Sequence, residues 1–187
     1  FSIAIVDILS SCSKRCSKLF LMNKLFKNNS EVNKSSPVKL SSHHLLAIEG
    51  MQKTEIQKLL DRADYFANLD KHADTKYLSG YVVLNVFFEN STRTRVSFEL
   101  AARRLGAEVI NISLINSSIK KGESLLDTAS TLNAMKPDLL IVRHPHSGAP
   151  LLFAEYLSCS IINAGDGRHE HPTQALLDAL TIKRRIG

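Results

Sequence analysis

The chain has 187 residues, of which 44% are hydrophobic, and these values fit one compact domain with a buried core. Its formal net charge is +6, but residues 1–41 hold seven basic and two acidic side chains, which leaves only +1 for residues 42–187. Because the rest of the chain has neither a basic surface nor the interleaved aromatic residues of a single-strand binder, the sequence argues against a nucleic-acid-binding domain.

Residues 1–41 form a basic, serine-rich segment that we expect to lie outside the folded domain. An organelle transit peptide has this composition, and so does a disordered or artefactual extension. We favour the second interpretation, because the chain starts at Phe1 and Met22 could be the true start. No apolar stretch approaches the roughly 20 residues of a membrane span, so we predict no membrane helix.

The three cysteines do not indicate a structural framework. Cys12 and Cys16 lie in the basic segment and Cys159 lies beside an apolar run, so they match neither a disulfide pattern nor a known zinc spacing. This pattern favours a reducing compartment, and we expect a cytoplasmic location.

From His44 onward the sequence predicts alternating helices and strands. A first helix is predicted over Lys53–Leu69, where apolar residues recur at helical spacing. Strands are then predicted over 82–88, 108–112, 139–142 and 160–163, separated by helices over 96–105, 123–135 and 150–157, with a last helix over 172–185. This alternation is typical of βαβ units and predicts an α/β domain over residues 42–187, with a parallel sheet covered by helices on both faces.

Polar residues stand at the carboxyl end of each predicted strand, where ligands bind in open α/β sheets. They are, in chain order, Glu89 with Ser91–Arg95, then residues 116–123, then Arg143–His144, and finally residues 163–167 and 171–174. Each group alone has an ordinary explanation, such as a helix cap or a solvated charge. Because four such groups follow four strands, we predict that they converge on one ligand site.

The segment from Ser91 to Arg95 places three hydroxyls and two guanidiniums where a strand gives way to a helix. A helix start favours anions, so this segment predicts a phosphate site, although an ordinary N-cap with solvated arginines is the alternative. The chain has no P-loop motif, no dinucleotide motif and no carboxylate pair for a metal. A small phosphorylated metabolite therefore fits better than a nucleotide.

Three segments resemble the aspartate and ornithine carbamoyltransferase family, and the resemblance covers residues 44–187. Phe87–Glu99 is similar to the carbamoyl-phosphate signature of that family. Ser117–Ser124 (SSIKKGES) resembles the lysine-bearing loop of its aspartate-specific members, and Asn163–Gln174 (NAGDGRHEHPTQ) resembles their NAGDG and HPTQ motifs. The ornithine-specific members typically have HPCQ and lack the lysine loop. The resemblance implies the carbamoyl-phosphate-binding domain of the aspartate-specific branch.

The resemblance also implies a reaction and a set of roles. The carbamoyl group of carbamoyl phosphate is transferred to the α-amino group of L-aspartate, giving N-carbamoyl-L-aspartate and phosphate for pyrimidine and UMP biosynthesis, without a cofactor or metal. The implied phosphate ligands are Ser91, Thr92, Arg93, Thr94 and Arg143. Arg143, Thr94 and His171 are implied to contact the carbamoyl oxygen, and Gln174 the carbamoyl amide. We also expect Glu89 to pair with an arginine of the site, such as Arg143.

In this family the catalytic chains form a homotrimer, in which Ser117 and Lys121 reach the active site of a neighbouring subunit. Regulatory chains and dihydroorotase are further partners that the sequence leaves open. The family's second domain, which supplies the aspartate-binding arginines, has no match in this sequence. We therefore expect a fragment that is inactive alone, and keep an ornithine-specific transferase and a noncatalytic carbamoyl-phosphate-binding fragment as alternatives.

Overall fold

Four parallel strands alternate with helices along the chain. The computed structural model describes residues 40–69, 75–114 and 124–187. Its elements are α1 (Lys53–Ala67), β1 (Val82–Phe87), α2 (Thr92–Arg104), β2 (Glu108–Ser113), α3 (Leu125–Ala134), β3 (Leu139–His144), α4 (Ala149–Tyr156), β4 (Ser160–Asp166) and α5 (Pro172–Ile186). None of the helices within these ranges is long and apolar enough to cross a membrane.

The predicted α/β class is confirmed, but three predicted boundaries that bear on the polar residues were wrong. Strand β3 continues through His144 and β4 through Asp166, and helix α2 begins at Thr92 rather than at Val96. The expectation placed these polar residues in loops because apolar periodicity ends before them. Their backbone groups nevertheless continue the strand ladder or the helix, which the side-chain pattern does not report.

The strand order places two strands at the centre of the sheet. The order is β2-β1-β3-β4 and every neighbouring pair is parallel. From β1 the chain moves outward to β2, and from β3 it moves outward in the opposite direction to β4. Strands β1 and β3 therefore form a topological switch point, where the connections diverge and leave a crevice at the carboxyl edge.

Helices cover both faces of the sheet, as predicted. Helices α1, α2 and α5 pack on one face, around buried residues that include Phe98, Leu139 and Ile141. Helices α3 and α4 pack on the other face, with Phe153 and Leu140 among the buried side chains. Adjacent residues of β3 thus enter opposite cores, as the period of two in a strand requires. The central strands are buried on both faces, and this fixes the position of their carboxyl ends.

A short extended segment before α1 pairs with the outer edge of β4. Leu45 donates its backbone N–H to the Ile161 carbonyl at 2.9 Å and accepts from the Asn163 N–H at 2.9 Å. Leu45 is itself buried, with 2% of its surface exposed. This pairing protects the edge of β4 and anchors the strand whose carboxyl end carries the residues from Asn163 to Asp166.

Candidate anion-binding site

Arg143 lies at the carboxyl edge of β3, at the switch point of the sheet. It pairs in register with Phe87 of β1. Its guanidinium is held on two sides, because Nε donates to Glu89 Oε1 at 2.5 Å and Nη1 donates to the Ala164 carbonyl at 3.1 Å. The expected pairing of Glu89 with Arg143 is thus confirmed. Nη2 makes no hydrogen bond with the described residues, so one end of the guanidinium fork can bind a ligand.

Strand β4 carries a bulge directly beside this guanidinium. Val142 pairs with Asn163, but His144 pairs with Asp166, so β4 has one residue more than β3 in this interval. Gly165 lies in the bulge with a φ of +115°, and a Cβ atom added there would lie 2.7 Å from Arg143 Nη1 and 3.4 Å from His171 Cδ2. The bulge therefore requires glycine and brings β4 close to both the arginine and the histidine.

His171 occupies the N-cap position of α5, immediately before Pro172. Its Nδ1 lies 3.3 Å from the Thr173 hydroxyl oxygen. Burial of the ring, and then the positive charge of Arg143, lower the pKa of His171 below its ordinary value of 6.5, although Asp178 opposes this effect. The imidazole is thus neutral near pH 7, with one nitrogen as a hydrogen-bond donor and the other as an acceptor.

Three of the five described helices have their N-terminal N–H groups satisfied by side chains. Glu55 accepts from the N-cap N–H of α1, Ser124 accepts from the first turn of α3, and Asp166 accepts from the N-cap N–H of α4. These bonds satisfy donors that a helix start leaves unpaired. Two of the three groups are carboxylates, which would repel an incoming anion.

Helices α2 and α5 differ from the other three. Among the described residues, no side chain accepts from the N–H groups at their starts, and the side chains of their N-cap residues, Ser91 and His171, make no capping hydrogen bond. Ser91 occupies the N-cap position, but its hydroxyl does not serve the ordinary capping role that we considered as the alternative. Glu89, which contacts Arg143, lies two residues before Ser91, so the Cα atoms of Glu89 and Ser91 are at most about 7.6 Å apart. The open start of α2 therefore follows the partner of Arg143 by two residues, at the same carboxyl edge of the sheet.

The remaining predicted site residues differ in how far the structure connects them to this centre. Thr92 and Arg93 are exposed and Thr94 is half-buried, all in the first turn of α2. The Gln174 amide donates to Asp178 Oδ1 at 2.9 Å, so it lies along α5 rather than bonding to Arg143 or His171. Ser117 and Lys121 lie outside the described residues.

Sequence reasoning gave no individual role to Ala164, Gly165 or Asp166, which the structure places at the centre of the site. The signal was present, because two glycines flank an aspartate directly after an apolar run. A backbone carbonyl as an arginine ligand leaves no trace in a sequence. Among the residues that the structure describes, no group of three histidine, cysteine or acidic side chains is arranged to hold a metal ion.

Comparison with known proteins finds one family. Residues 43–184 match the family model described as aspartate/ornithine carbamoyltransferase, carbamoyl-P binding domain. The chain is 62% identical over 152 residues to the aspartate carbamoyltransferase catalytic subunit of Dinoroseobacter shibae, covering 79% of this chain and 48% of that protein. Identity to the catalytic subunit of Rhodospirillum rubrum is 62% over 146 residues, covering 77% and 46%. The chain thus spans about half the length of the curated relatives it matches.

Solved structures give the same result. The catalytic subunit of M. jannaschii aspartate transcarbamoylase superposes with a TM-score of 0.71 at 46% identity, covering 77% of this chain and 47% of that one. Aspartate transcarbamoylase from Trypanosoma cruzi, in complex with carbamoyl phosphate and aspartate, superposes with a TM-score of 0.70 at 39% identity, covering 77% and 45%.

The bulge geometry predicts that a methyl group at position 165 displaces Arg143. Gly165→Ala should lower the free energy of unfolding by about 2–5 kcal/mol, because it adds a steric clash to an unfavourable φ, and should weaken inorganic phosphate binding at least roughly tenfold. The control is Gly50→Ala, where φ is +79° but no atom lies within 4 Å of the added carbon. It should cost only about 1–2 kcal/mol and leave phosphate binding unchanged. Urea unfolding measures the free energy of unfolding, and calorimetry measures phosphate binding. Equal effects of Gly165→Ala and Gly50→Ala would refute the predicted steric clash with Arg143.

The environment of His171 predicts an NMR titration midpoint below 6.5. Arg143→Gln should raise the midpoint, because it removes the neighbouring positive charge, whereas Arg103→Gln, remote on α2, should not. Since the unfolded chain takes up this proton at a higher pH than the folded chain, acidification below 6.5 should favour unfolding through this residue. A midpoint at or above 6.5 in the wild-type chain would contradict the proposed burial and charge effects.

Proposed function

The chain belongs to the aspartate/ornithine carbamoyltransferase family, and from this membership we propose that it is the carbamoyl-phosphate-binding half of an aspartate carbamoyltransferase catalytic chain. The observation that supports the proposal most strongly is the fixed guanidinium of Arg143. It stands beside His171 and next to an open helix start, at the switch point of the sheet. A phosphorylated ligand bound there meets charge, hydrogen-bond donors and a helix dipole of the right sign.

The phosphate is proposed to bind at the start of α2. Ser91, Thr92 and Thr94 supply hydroxyl donors, and Arg93 supplies a guanidinium. The N–H groups of the first turn also face an incoming anion, because the Ser91 side chain does not cap them. Arg93 is exposed and makes no hydrogen bond with the described residues, so its fork remains available for phosphate oxygens.

The carbamoyl oxygen is proposed to lie between Arg143, Thr94 and His171. Negative charge develops on this oxygen as the carbonyl carbon becomes tetrahedral, and preorganised donors stabilise that charge. A neutral His171 can donate from one ring nitrogen only. We assign the hydrogen to Nε2, because the Thr173 hydroxyl lies 3.3 Å from Nδ1 and can donate to it. His171 then acts as a hydrogen-bond donor and not as a general base.

The reaction is a nucleophilic substitution at the carbamoyl carbon. The amino nitrogen of L-aspartate forms the new C–N bond, the C–O bond to phosphate breaks, and phosphate leaves with its electron pair and takes up the proton that the amine loses. Most of the acceleration should come from aligning the two reactants and from stabilising the developing charges. The carbamoyl group is already activated by its bond to phosphate, so the transfer requires no cofactor. Gln174 is proposed to accept from the carbamoyl NH2 group through Oε1, since its bond to Asp178 uses only Nε2.

Aspartate rather than ornithine is the proposed acceptor. The curated relatives at 62% identity are aspartate carbamoyltransferase catalytic subunits, and Thr173 stands where ornithine-specific members typically have cysteine. The T. cruzi relative was solved with carbamoyl phosphate and aspartate bound. The product, N-carbamoyl-L-aspartate, places the enzyme in pyrimidine biosynthesis. A cytoplasmic location remains a prediction from the cysteine pattern alone.

The assembly is proposed to be a homotrimer of full-length catalytic chains. Ser117 and Lys121 are then supplied to each site by a neighbouring subunit, so a monomer would lack two ligands of the site. This part of the proposal depends on the resemblance of the SSIKKGES segment to the family's lysine-bearing loop. Regulatory chains and dihydroorotase stay open as further partners.

The proposed reaction predicts carbamoyl transfer by the full-length protein to L-aspartate and not to L-ornithine. Arg143→Ala should lower kcat/KM by roughly 10²–10³, because it removes a charged donor from the carbamoyl oxygen and phosphate. The control, Arg103→Ala, removes a guanidinium whose Nε bonds to Glu99 on the exposed face of α2, and should leave kcat/KM within about twofold. A colorimetric assay of the ureido product, N-carbamoyl-L-aspartate, measures kcat/KM for both variants. Near-normal turnover by Arg143→Ala would refute the role given to this arginine.

The shared site predicts complementation between two inactive full-length chains. Lys121→Ala and Arg93→Ala each damage every site of their own trimer. Mixed trimers contain some sites with both residues intact, because the two residues of one site come from different chains. Mixing should therefore restore carbamoyl-aspartate formation to roughly a quarter of the wild-type rate, as for random assembly of closed rings. Mixed trimers, verified by native mass spectrometry, that show no regained activity would rule out sharing.

A further inference from the structure

Two buried polar side chains flank the bulge in β4. Asn163 is 1% exposed and Asp166 is 2% exposed. They bond to each other across the bulge, because Asn163 Nδ2 donates to Asp166 Oδ1 at 2.9 Å. Buried polar groups are costly unless they are satisfied, so a buried pair at this position requires a physical reason.

Asn163 satisfies the backbone of the bulge itself. Its Oδ1 accepts from the Gly165 N–H at 2.8 Å, a donor at the point where the register between β3 and β4 shifts. Its Nδ2 also donates to the Leu46 carbonyl at 2.9 Å, which ties the bulge to the segment paired with the edge of β4. The asparagine thus determines the path of the chain through Ala164 and Gly165.

Asp166 joins the bulge to the loops on both sides of it. Its carboxylate accepts hydrogen bonds from the Gly148 N–H at 2.7 Å and from the Glu170 N–H at 3.0 Å. His169 Nδ1 lies 3.0 Å from the same carboxylate. Burial raises the pKa of Asp166, but the hydrogen bonds from Asn163, Gly148, His169 and Glu170 outweigh it and hold the pKa below its ordinary value. The residue is therefore a carboxylate that accepts hydrogen bonds from both loops.

We propose that Asn163 and Asp166 are positioning residues: they fix the bulge, and the bulge in turn holds the Ala164 carbonyl and the Arg143 guanidinium in the geometry that binds phosphate. The inference rests on the proposed function. The connection is direct, because Ala164 O is one of the two acceptors that orient Arg143, and a Cβ atom added at Gly165 would lie 2.7 Å from Arg143 Nη1 and 3.4 Å from His171 Cδ2. When the side-chain bridge is lost, the carbonyl moves and the guanidinium keeps only its bond to Glu89.

The test is a double-substitution cycle in the full-length protein. Asp166→Asn places amide hydrogens against the donors at one of the two oxygen positions, either those of Asn163 and Glu170 or those of Gly148 and His169, so it should weaken inorganic phosphate and carbamoyl phosphate binding at least roughly tenfold. In an Arg143→Lys background the same substitution should cost less than about twofold, because lysine keeps the charge but has no fork to span Glu89 and Ala164. Asn163→Ser, which removes the Nδ2 donor, should behave in the same way. Calorimetry measures binding.

Asp138→Asn is the matched control. The Asp138 carboxylate also accepts from a backbone N–H, that of Val82 at 2.8 Å, but it lies at the opposite edge of the sheet. It should lower stability and leave phosphate binding unchanged. A second readout is the Arg143 Nη1–H signal in NMR at low temperature, which its bond to the Ala164 carbonyl should protect from exchange in the wild-type protein and in Asp138→Asn, and which should broaden in Asp166→Asn.

Each outcome decides the inference. A wild-type protein that binds neither carbamoyl phosphate nor phosphate would refute the proposed function, while the Arg143 signal would still report whether Asp166 positions the guanidinium. The inference is overturned if both bulge variants bind within twofold of wild type with an unchanged signal. It is also overturned if the loss persists in the Arg143→Lys background. Loss of the folded state in both variants would overturn it too, because the two residues would then stabilise the whole domain.

Discussion

The site depends on one constraint, the placement of a single guanidinium where the connections of the sheet diverge. Arg143 extends from a central strand that is buried on both faces, so its backbone position is set by the two hydrophobic cores. Glu89, after β1, and the Ala164 carbonyl, on β4, then fix the side chain from opposite sides. Three strands of the sheet must keep their relative positions for this one geometry to exist, so the proposed anion site depends directly on the fold.

The distribution of helix caps supports the proposed binding of an anion at this site rather than at the other helix starts. Carboxylates or a serine accept from N–H groups at the starts of α1, α3 and α4, whereas no side chain of the described residues accepts from those at the starts of α2 and α5. Those two open starts carry Ser91 and His171, on either side of Arg143 in the chain. An anion that binds there completes hydrogen bonds that the protein itself leaves open, whereas elsewhere it would displace a cap. The lowered pKa of His171 follows from the burial of its ring and then from the positive charge of Arg143.

Much of this arrangement could be predicted from the sequence, and the limits have a physical origin. The apolar runs gave the α/β class and the order of elements, and the polar residues at strand ends indicated an anion site before any family was considered. Periodicity failed where polar residues continue a strand, as at Arg143 and Asp166, because backbone pairing leaves no side-chain pattern. The strand order and the Gly165 bulge depend on contacts between distant segments, and a carbonyl ligand such as Ala164 O has no residue type that marks it.

The central claim is that phosphate binds at the open start of α2 within reach of Arg143. A crystal structure of the full-length protein with carbamoyl phosphate tests it most directly. We expect the phosphate group against the N–H and hydroxyl groups of Ser91 to Thr94, and the carbamoyl oxygen within hydrogen-bond distance of Arg143 and His171. A ligand bound at any other helix start, or at α2 but beyond the reach of Arg143, would contradict the account.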